Sequence, residues 1–113
     1  MQTYTIRRTG QAPLRLRGEI IAEAGSSPDR AHPRWSGSTG RWEEVTIYRT
    51  AKGKYVAAIK YGTLWQGETD TFDAGVFGTL AKAVEWLQYK LSNRVFDWLI
   101  EKLSQEEIAE DVD

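Results

Sequence analysis

The chain has 113 residues and no cysteine, which excludes disulfides, thiolate catalysis and thiolate metal sites. Its formal net charge of −1 hides a strong asymmetry. Residues 1–54 carry ten Lys or Arg against five Asp or Glu, whereas residues 55–113 carry five against eleven. Such a split between the two halves is typical of a protein with a charged binding surface.

The length predicts a single domain, residues 1–113, with one hydrophobic core. Five Trp, five Tyr and three Phe supply the large apolar side chains that such a core needs. The chain begins with a polar, strand-like stretch, and no run of about eighteen apolar residues occurs in it. We therefore expect a cytoplasmic protein with no membrane contact and no cofactor.

The first part of the chain alternates apolar and polar residues with the period of β-strands. Two such runs cover residues 3–8 and 14–24, and the link between them contains Gly10 and Pro13. We expect an antiparallel hairpin with one apolar face and one charged face. Three arginines would share the charged outer face: Arg7, Arg15 and Arg17.

Residues 25–40 are rich in Gly, Ser and Pro, which predicts a long loop. Loops of this length are often functional. Arg and Trp are the residue types most enriched at the energetically dominant positions of protein interfaces. We therefore expect Arg30, Arg34 and Trp35 to contribute to a binding surface.

The strand pattern returns over residues 41–50 and 54–61, and Gly53 suits the left-handed position of the turn between them. A weaker alternation over residues 63–72 predicts a further strand. The predicted fold class is α+β, with a four- or five-stranded antiparallel β-meander packed on one face by a long C-terminal α-helix that is continuous, kinked or broken.

Apolar residues recur every three to four positions over residues 79–104, which predicts an amphipathic helix with Thr79 as its N-cap. A continuous helix of this length would measure about 38 Å, whereas an eight-residue strand spans about 27 Å. The helix therefore either runs past the sheet or breaks near Ser92 and Asn93. An acidic tail follows over residues 105–113.

Three residues add apolar bulk to the second half of this helical region: Phe96, Trp98 and Ile100. Either they complete the core of the monomer, as most apolar helix stripes do, or they form the contact of a homodimer. Both interpretations stay open at the level of sequence.

The spacing of polar residues shows no catalytic or metal-binding signature. His32 is the single histidine, so no triad and no zinc set can be assembled around it. Glu68, Asp70 and Asp73 match no calcium-binding loop and are typical of a solvated turn. We expect a protein that is not an enzyme and binds no metal.

The charge layout and the loop favour a protein that acts through protein–protein contacts as an adaptor, inhibitor or regulator, such as an accessory protein of a phage or plasmid. The alternative is a single-stranded nucleic-acid-binding protein that uses the arginine-bearing sheet face. The order of elements resembles that of small dimeric single-strand-binding proteins, without a shared motif. A third hypothesis is a small-molecule sensor with an aromatic pocket between sheet and helix, lined by Trp65, Tyr55, Tyr61 and Trp86.

Overall fold

The fold is an antiparallel meander of five strands with two helices on one face, and the computed structural model describes it for residues 1–26 and 40–103. The strands are hydrogen-bonded in chain order: β1 (Gln2–Arg8), β2 (Gln11–Gly25), β3 (Arg41–Thr50), β4 (Tyr55–Thr63) and β5 (Thr71–Phe77). The helices are α1 (Leu80–Lys90) and α2 (Asn93–Lys102). The predicted α+β class and antiparallel meander are confirmed.

The helical region consists of two short helices, so of the two predicted alternatives the break near Ser92 and Asn93 is observed and a long continuous helix is not. The backbone is extended between them, with ψ of 155° at Leu91 and 152° at Ser92. Thr79 caps α1 as predicted, because its hydroxyl accepts the N–H of Lys82 at 3.2 Å. The break lets α2 pack against β2 and β3 while α1 packs against β4 and β5.

The last strand lies later in the chain than the predicted range 63–72. Residues 64–70 form a loop with Gly67 at a φ of 84°, and β5 then runs from Thr71 to Phe77. Gly75 is tolerated inside β5 because the rings of Phe77 and Trp86 cover the place where a side chain would stand. Of the predicted range 63–72, residue 63 ends β4 and residues 71 and 72 begin β5, and only residues 64–70 are not strand.

A bulge in β2 reverses the direction of its alternating side chains, so that apolar residues before and after it point to opposite faces of the sheet. The pairing with β3 shifts between Ile20 and Ala22. Leu16 consequently faces away from the helices, whereas Ala22 packs beneath them. The expectation that the apolar residues of the first hairpin share one face is wrong, since one extra residue reverses the alternation of a strand.

Both faces of the sheet are buried, and each has its own hydrophobic core. The helix-side core includes Val45, Ile47, Leu87 and Leu99. The second core takes one buried side chain from each strand: Ile6, Leu16, Tyr48, Val56 and Ala74. The face opposite the helices is thus apolar over this core rather than a solvated arginine face.

The sheet curls until the turn after β1 meets the start of β5. The backbone N–H of Thr9 donates to the carbonyl of Phe72 at 3.0 Å, and the N–H of Phe72 donates to Thr9 Oγ1 at 2.8 Å. The guanidinium of Arg7 lies 4.5 Å above the ring of Phe72. These contacts close the curl around the second core.

Most of the predicted loop 25–40 and all of the tail 105–113 lie outside the described residues. Gly25 belongs to β2, where it pairs with Glu44. Along the chain, Ser26 precedes and Gly40 follows the remaining part of the predicted loop, residues 27–39.

Candidate functional site

A groove of about 660 Å³ opens where β3 begins and β4 ends, which we call the groove end of the sheet. Strand residues Arg41, Glu43, Tyr61 and Thr63 contribute to its lining. The loop 64–70 contributes Glu68 and Thr69, and the start of α2 contributes Ser92, Arg94 and Val95. Ser26, at the end of β2, completes one side.

Beside this groove lies the Trp65 cluster, which we define as Arg41, Thr63, Trp65 and Glu68. The guanidinium of Arg41 stands 4.1 Å from the centre of the Trp65 ring. Its Nε donates to Glu68 Oε1 at 3.1 Å, and its terminal nitrogen donates to the other carboxylate oxygen. Arg41 thus contacts both an aromatic face and a carboxylate, two interactions for which the flat guanidinium is suited.

Backbone and hydroxyl contacts fix Trp65 further. The backbone N–H of Trp65 donates to Thr63 Oγ1 at 3.1 Å, and the backbone carbonyl of Trp65 accepts the N–H of Glu68 at 3.1 Å. The indole packs directly on Gly40, where a Cβ would overlap the ring. Nevertheless, 51% of Trp65 remains exposed, and so does 69% of the neighbouring Leu64.

Electrostatics in the cluster favour the ion pair. The hydrogen bond from Arg41 lowers the pKa of the Glu68 carboxyl, and the hydroxyl of Thr63, 2.8 Å from Glu68 Oε1, lowers that pKa further. The same hydrogen bond raises the pKa of Arg41. Glu68 is therefore a carboxylate near neutral pH, and the pair contributes little net charge to the surface.

The other wall of the groove ties the helix break to the sheet. Glu43 Oε1 accepts the backbone N–H of Ser92 at 2.9 Å, and the hydroxyl of Tyr61 donates to the carbonyl of Lys90 at 3.2 Å. Burial, followed by the negative charges of Glu43 and Asp73, raises the pKa of Tyr61. The tyrosine therefore stays protonated and able to donate to that carbonyl.

The predicted arginines of the first hairpin do not line the groove. Arg15 and Arg17 are exposed on one face of β2 and pair across from Thr5 and Thr3 of β1. Arg7 sits at the irregular pairing near the end of β1, over Phe72. The remaining predicted binding residues, Arg30, Arg34 and Trp35, lie outside the described residues.

The residues predicted for a dimer contact pack inside the subunit. Trp98 is only 7% exposed and belongs to the helix-side core, and Phe96 and Ile100 are partly buried against that core. The interpretation in which they complete the monomer core accounts for this placement. A homodimer stays a prediction that these contacts do not test.

The three acidic residues considered as metal ligands have separate partners. Glu68 pairs with Arg41. Asp70 Oδ2 lies 3.6 Å from Lys60 Nζ, and Asp70 Oδ1 accepts the backbone N–H of Thr63. Asp73 Oδ2 lies 3.2 Å from Lys90 Nζ. Within residues 1–26 and 40–103, no group of three His, Cys, Asp or Glu side chains could hold a metal ion. In the same part of the chain no helix is long and apolar enough to span a membrane.

The sensor hypothesis placed Trp65 in an aromatic pocket between sheet and helix, and sequence reasoning did not single out its neighbour Leu64. Trp65 lies on a surface loop, whereas Tyr55, Tyr61 and Trp86 pack against the helix-side core, so the predicted aromatic pocket does not form. The available signal was the run Leu64–Trp65–Gln66–Gly67, in which two large apolar residues precede a glycine turn.

Comparison of the chain with protein-family models, with curated proteins and with solved structures found no match. The functional conclusion therefore depends on the exposure and contacts of the described residues. Among them, the half-exposed and firmly held Trp65 is the most informative.

Proposed function

We propose that this chain is a small non-enzymatic protein-binding module that docks onto a larger protein through its groove end, with Trp65 as the anchor. One observation carries the proposal: Trp65 is 51% exposed, yet its ring packs on the guanidinium of Arg41 and on Gly40, and its backbone N–H donates to Thr63 Oγ1. Interface anchors are typically large apolar side chains that are accessible to a partner and already packed against their own protein.

Immobilisation matters because association is opposed by the entropy of ordering side chains, about 0.5–1.5 kcal/mol for each flexible one. The contacts of the Trp65 ring with Arg41 and Gly40 restrict it before binding and so reduce the freedom that it would lose. Leu64 extends the apolar patch by one exposed side chain. Trp and Arg are also the residue types that most often dominate binding energy.

The charge around the anchor suits a protein partner better than a phosphate chain. Arg41 and Glu68 neutralise each other beside Trp65. At the start of α2, where a helix would attract an anion, the carboxylate of Glu43 already accepts a backbone N–H. A polar rim without net charge around an apolar centre is the usual composition of protein interfaces.

The placement of Ser26 and Gly40 adds support. Ser26 and Gly40 both lie at the groove end, and the sequence between them contains Arg30, Arg34 and Trp35. The two described residues that border this stretch of sequence therefore both lie at the groove end. We assign the module to an adaptor, inhibitor or regulator role. The absence of cysteine, and so of disulfides, fits the reducing environment of the cytoplasm.

A second candidate function is the binding of single-stranded nucleic acid. It is favoured by Arg15 and Arg17, which are exposed on one face of β2 and have no ion-pair partner among the described residues. It ranks second because Tyr48 of the sheet is buried in the second core and offers no ring for base stacking.

The experiment is affinity capture from a native lysate with three forms of the chain: wild type, Trp65→Ala and Tyr89→Ala. Tyr89 is the matched control, because it is 84% exposed on α1 and is also an aromatic residue. Nuclease treatment of half of each sample separates protein-mediated from nucleic-acid-mediated capture.

We expect a protein that survives nuclease treatment, is retained by wild type and Tyr89→Ala, and is lost with Trp65→Ala. Thermal unfolding of each variant shows whether the fold is intact. Equal retention by all three forms would remove Trp65 as the anchor. Retention that disappears with nuclease would select the nucleic-acid function instead.

A further inference from the structure

A positively charged surface lies at the end of the sheet opposite the groove, around the turn between β3 and β4. We call it the basic surface and define it as Arg15, Arg17, Lys52 and Lys54. All four are exposed, and none has an ion-pair partner among the described residues. Other arginines of the same half are engaged: Arg49 lies 3.5 Å from Glu19, and Arg8 donates to the carbonyl of Ala12.

The backbone brings these four cations together. The N–H of Ala51 donates to the carbonyl of Arg17 at 2.7 Å, which joins the turn to β2. The N–H of Thr50 donates to the carbonyl of Lys54 at 2.8 Å, which closes the turn itself. Arg15 lies two residues before Arg17 on the same face of the strand. Mutual repulsion of like charges makes this surface receptive to a polyanion.

We propose that the basic surface binds the acidic C-terminal segment of this same chain, residues 104–113. The segment carries five carboxylates and no Lys or Arg: Glu106, Glu107, Glu110, Asp111 and Asp113. Its charge therefore complements the four unpaired cations. The contact would join the positive and negative parts of the chain that account for its near-neutral total.

The reach of the segment is sufficient. Leu103, just after α2, is buried in the helix-side core, and α2 packs mainly on β2. Ten extended residues span about 33 Å, whereas the part of β2 from Gly25 to Arg17 spans about 26 Å. The segment thus reaches the basic surface even from the far end of β2.

This surface is distinct from the proposed docking site. Trp65 lies at the groove end, whereas the turn 51–53 closes the opposite end of β3 and β4. The acidic segment would shield the cations from nucleic acid and leave Trp65 accessible to a protein. Binding at the groove end is therefore expected to be independent of this contact.

A paramagnetic label tests the contact directly, because the chain has no cysteine of its own. A nitroxide attached to Val112→Cys is expected to weaken the amide NMR signals of residues 15–17 and 51–54. The loss should disappear at an ionic strength of about 1 M, where the screening length is about 3 Å. Arg17→Gln should reduce it, whereas the charge-matched control Lys82→Gln, on α1, should not.

Three results would overturn the proposal. The first is unchanged intensity of these signals at low salt. The second is signal loss in an isotope-labelled chain mixed with a separate nitroxide-labelled chain, which would show that the segment binds another copy. The third is no effect of the label together with shifts of the same signals on adding a single-stranded oligonucleotide, which would make the surface a nucleic-acid site.

Discussion

The side-chain carboxylate of Glu43 accepts the backbone N–H of Ser92 at 2.9 Å, and this hydrogen bond joins β3 to the break between the two helices. Ser92 is the N-cap of α2, so the carboxylate also lies near the positive end of the helix dipole. A side chain of the sheet therefore holds the residue at which the second helix begins.

We predict that Glu43→Ala lowers the free energy of unfolding by about 1–3 kcal/mol, because it removes a charge-assisted hydrogen bond to a helix terminus. Glu43→Gln retains an acceptor and should cost less. Urea unfolding monitored by circular dichroism measures both. Equal stability of Glu43→Ala and wild type would show that Ser92 holds the break without help from β3.

At Gly18, the backbone of β2 closely approaches the end of β3, with which it is paired. A Cβ at this position would overlap the carbonyl oxygen of Arg49 and lie 2.9 Å from the Cα of Thr50. We predict that Gly18→Ala destabilises the protein by about 1–3 kcal/mol or more, as overpacking against backbone does.

Gly78→Ala is the control for this variant, because no atom lies within 4 Å of a Cβ at residue 78. Thermal unfolding should show a clear drop in Tm for Gly18→Ala and little change for Gly78→Ala. Similar Tm values for the two variants would contradict the close approach of β2 and β3.

The early strands, the turn at Gly53 and the cap at Thr79 were predictable from sequence, because each depends on local periodicity or on one residue type. Gly53 indeed has a φ of 82°, and β3 was predicted with its observed bounds. The bulge between Ile20 and Ala22 was not predictable, since the alternation of apolar residues continues through it. Ala22 packs in the helix-side core, a long-range contact that the local pattern does not contain.

The candidate site was less accessible to sequence reasoning than the fold. Trp65 contacts Gly40 and Arg41, about twenty-five residues earlier in the chain, and no local pattern encodes that contact. The position of β5 was missed for a related reason: Gly75 weakens a strand signal until the rings of Phe77 and Trp86 are seen to cover it. The contacts of Trp65 and the position of β5 both depend on packing between residues that local sequence patterns do not reveal.

Tyr61→Phe tests the link between β4 and α1. The tyrosine hydroxyl donates to the carbonyl of Lys90, one of the last carbonyls of α1, at 3.2 Å. We predict that its removal lowers the free energy of unfolding by about 0.5–1.5 kcal/mol. Urea unfolding measures the change, and a variant as stable as wild type would show that water replaces the hydroxyl without loss.

The ion pair of the Trp65 cluster predicts a pH dependence of stability. The hydrogen bond from Arg41 lowers the pKa of Glu68 below its ordinary value of 4.5. A lowered pKa in the folded state stabilises the protein fully above the ordinary value, and this stabilisation is lost as the pH falls through the lowered pKa. The stability difference between wild type and Glu68→Gln should therefore shrink in acid.

Urea unfolding of both forms across a pH series from neutral to acidic provides the measurement. Glu85→Gln is the control, because Glu85 is exposed on α1 and has no ion-pair partner among the described residues. A stability difference for Glu68→Gln that stays constant below the ordinary pKa would contradict the pairing with Arg41.

The central claim, that a protein partner docks on Trp65, is tested most directly by site-specific photo-crosslinking. A photoreactive amino acid replaces Leu64 in one sample and Tyr89 in another, since both side chains are highly exposed. We predict that position 64 crosslinks a protein in native lysate, that position 89 does not, and that Trp65→Ala abolishes the product. Crosslinking at position 89 alone, or a product at position 64 that persists with Trp65→Ala, would contradict the claim.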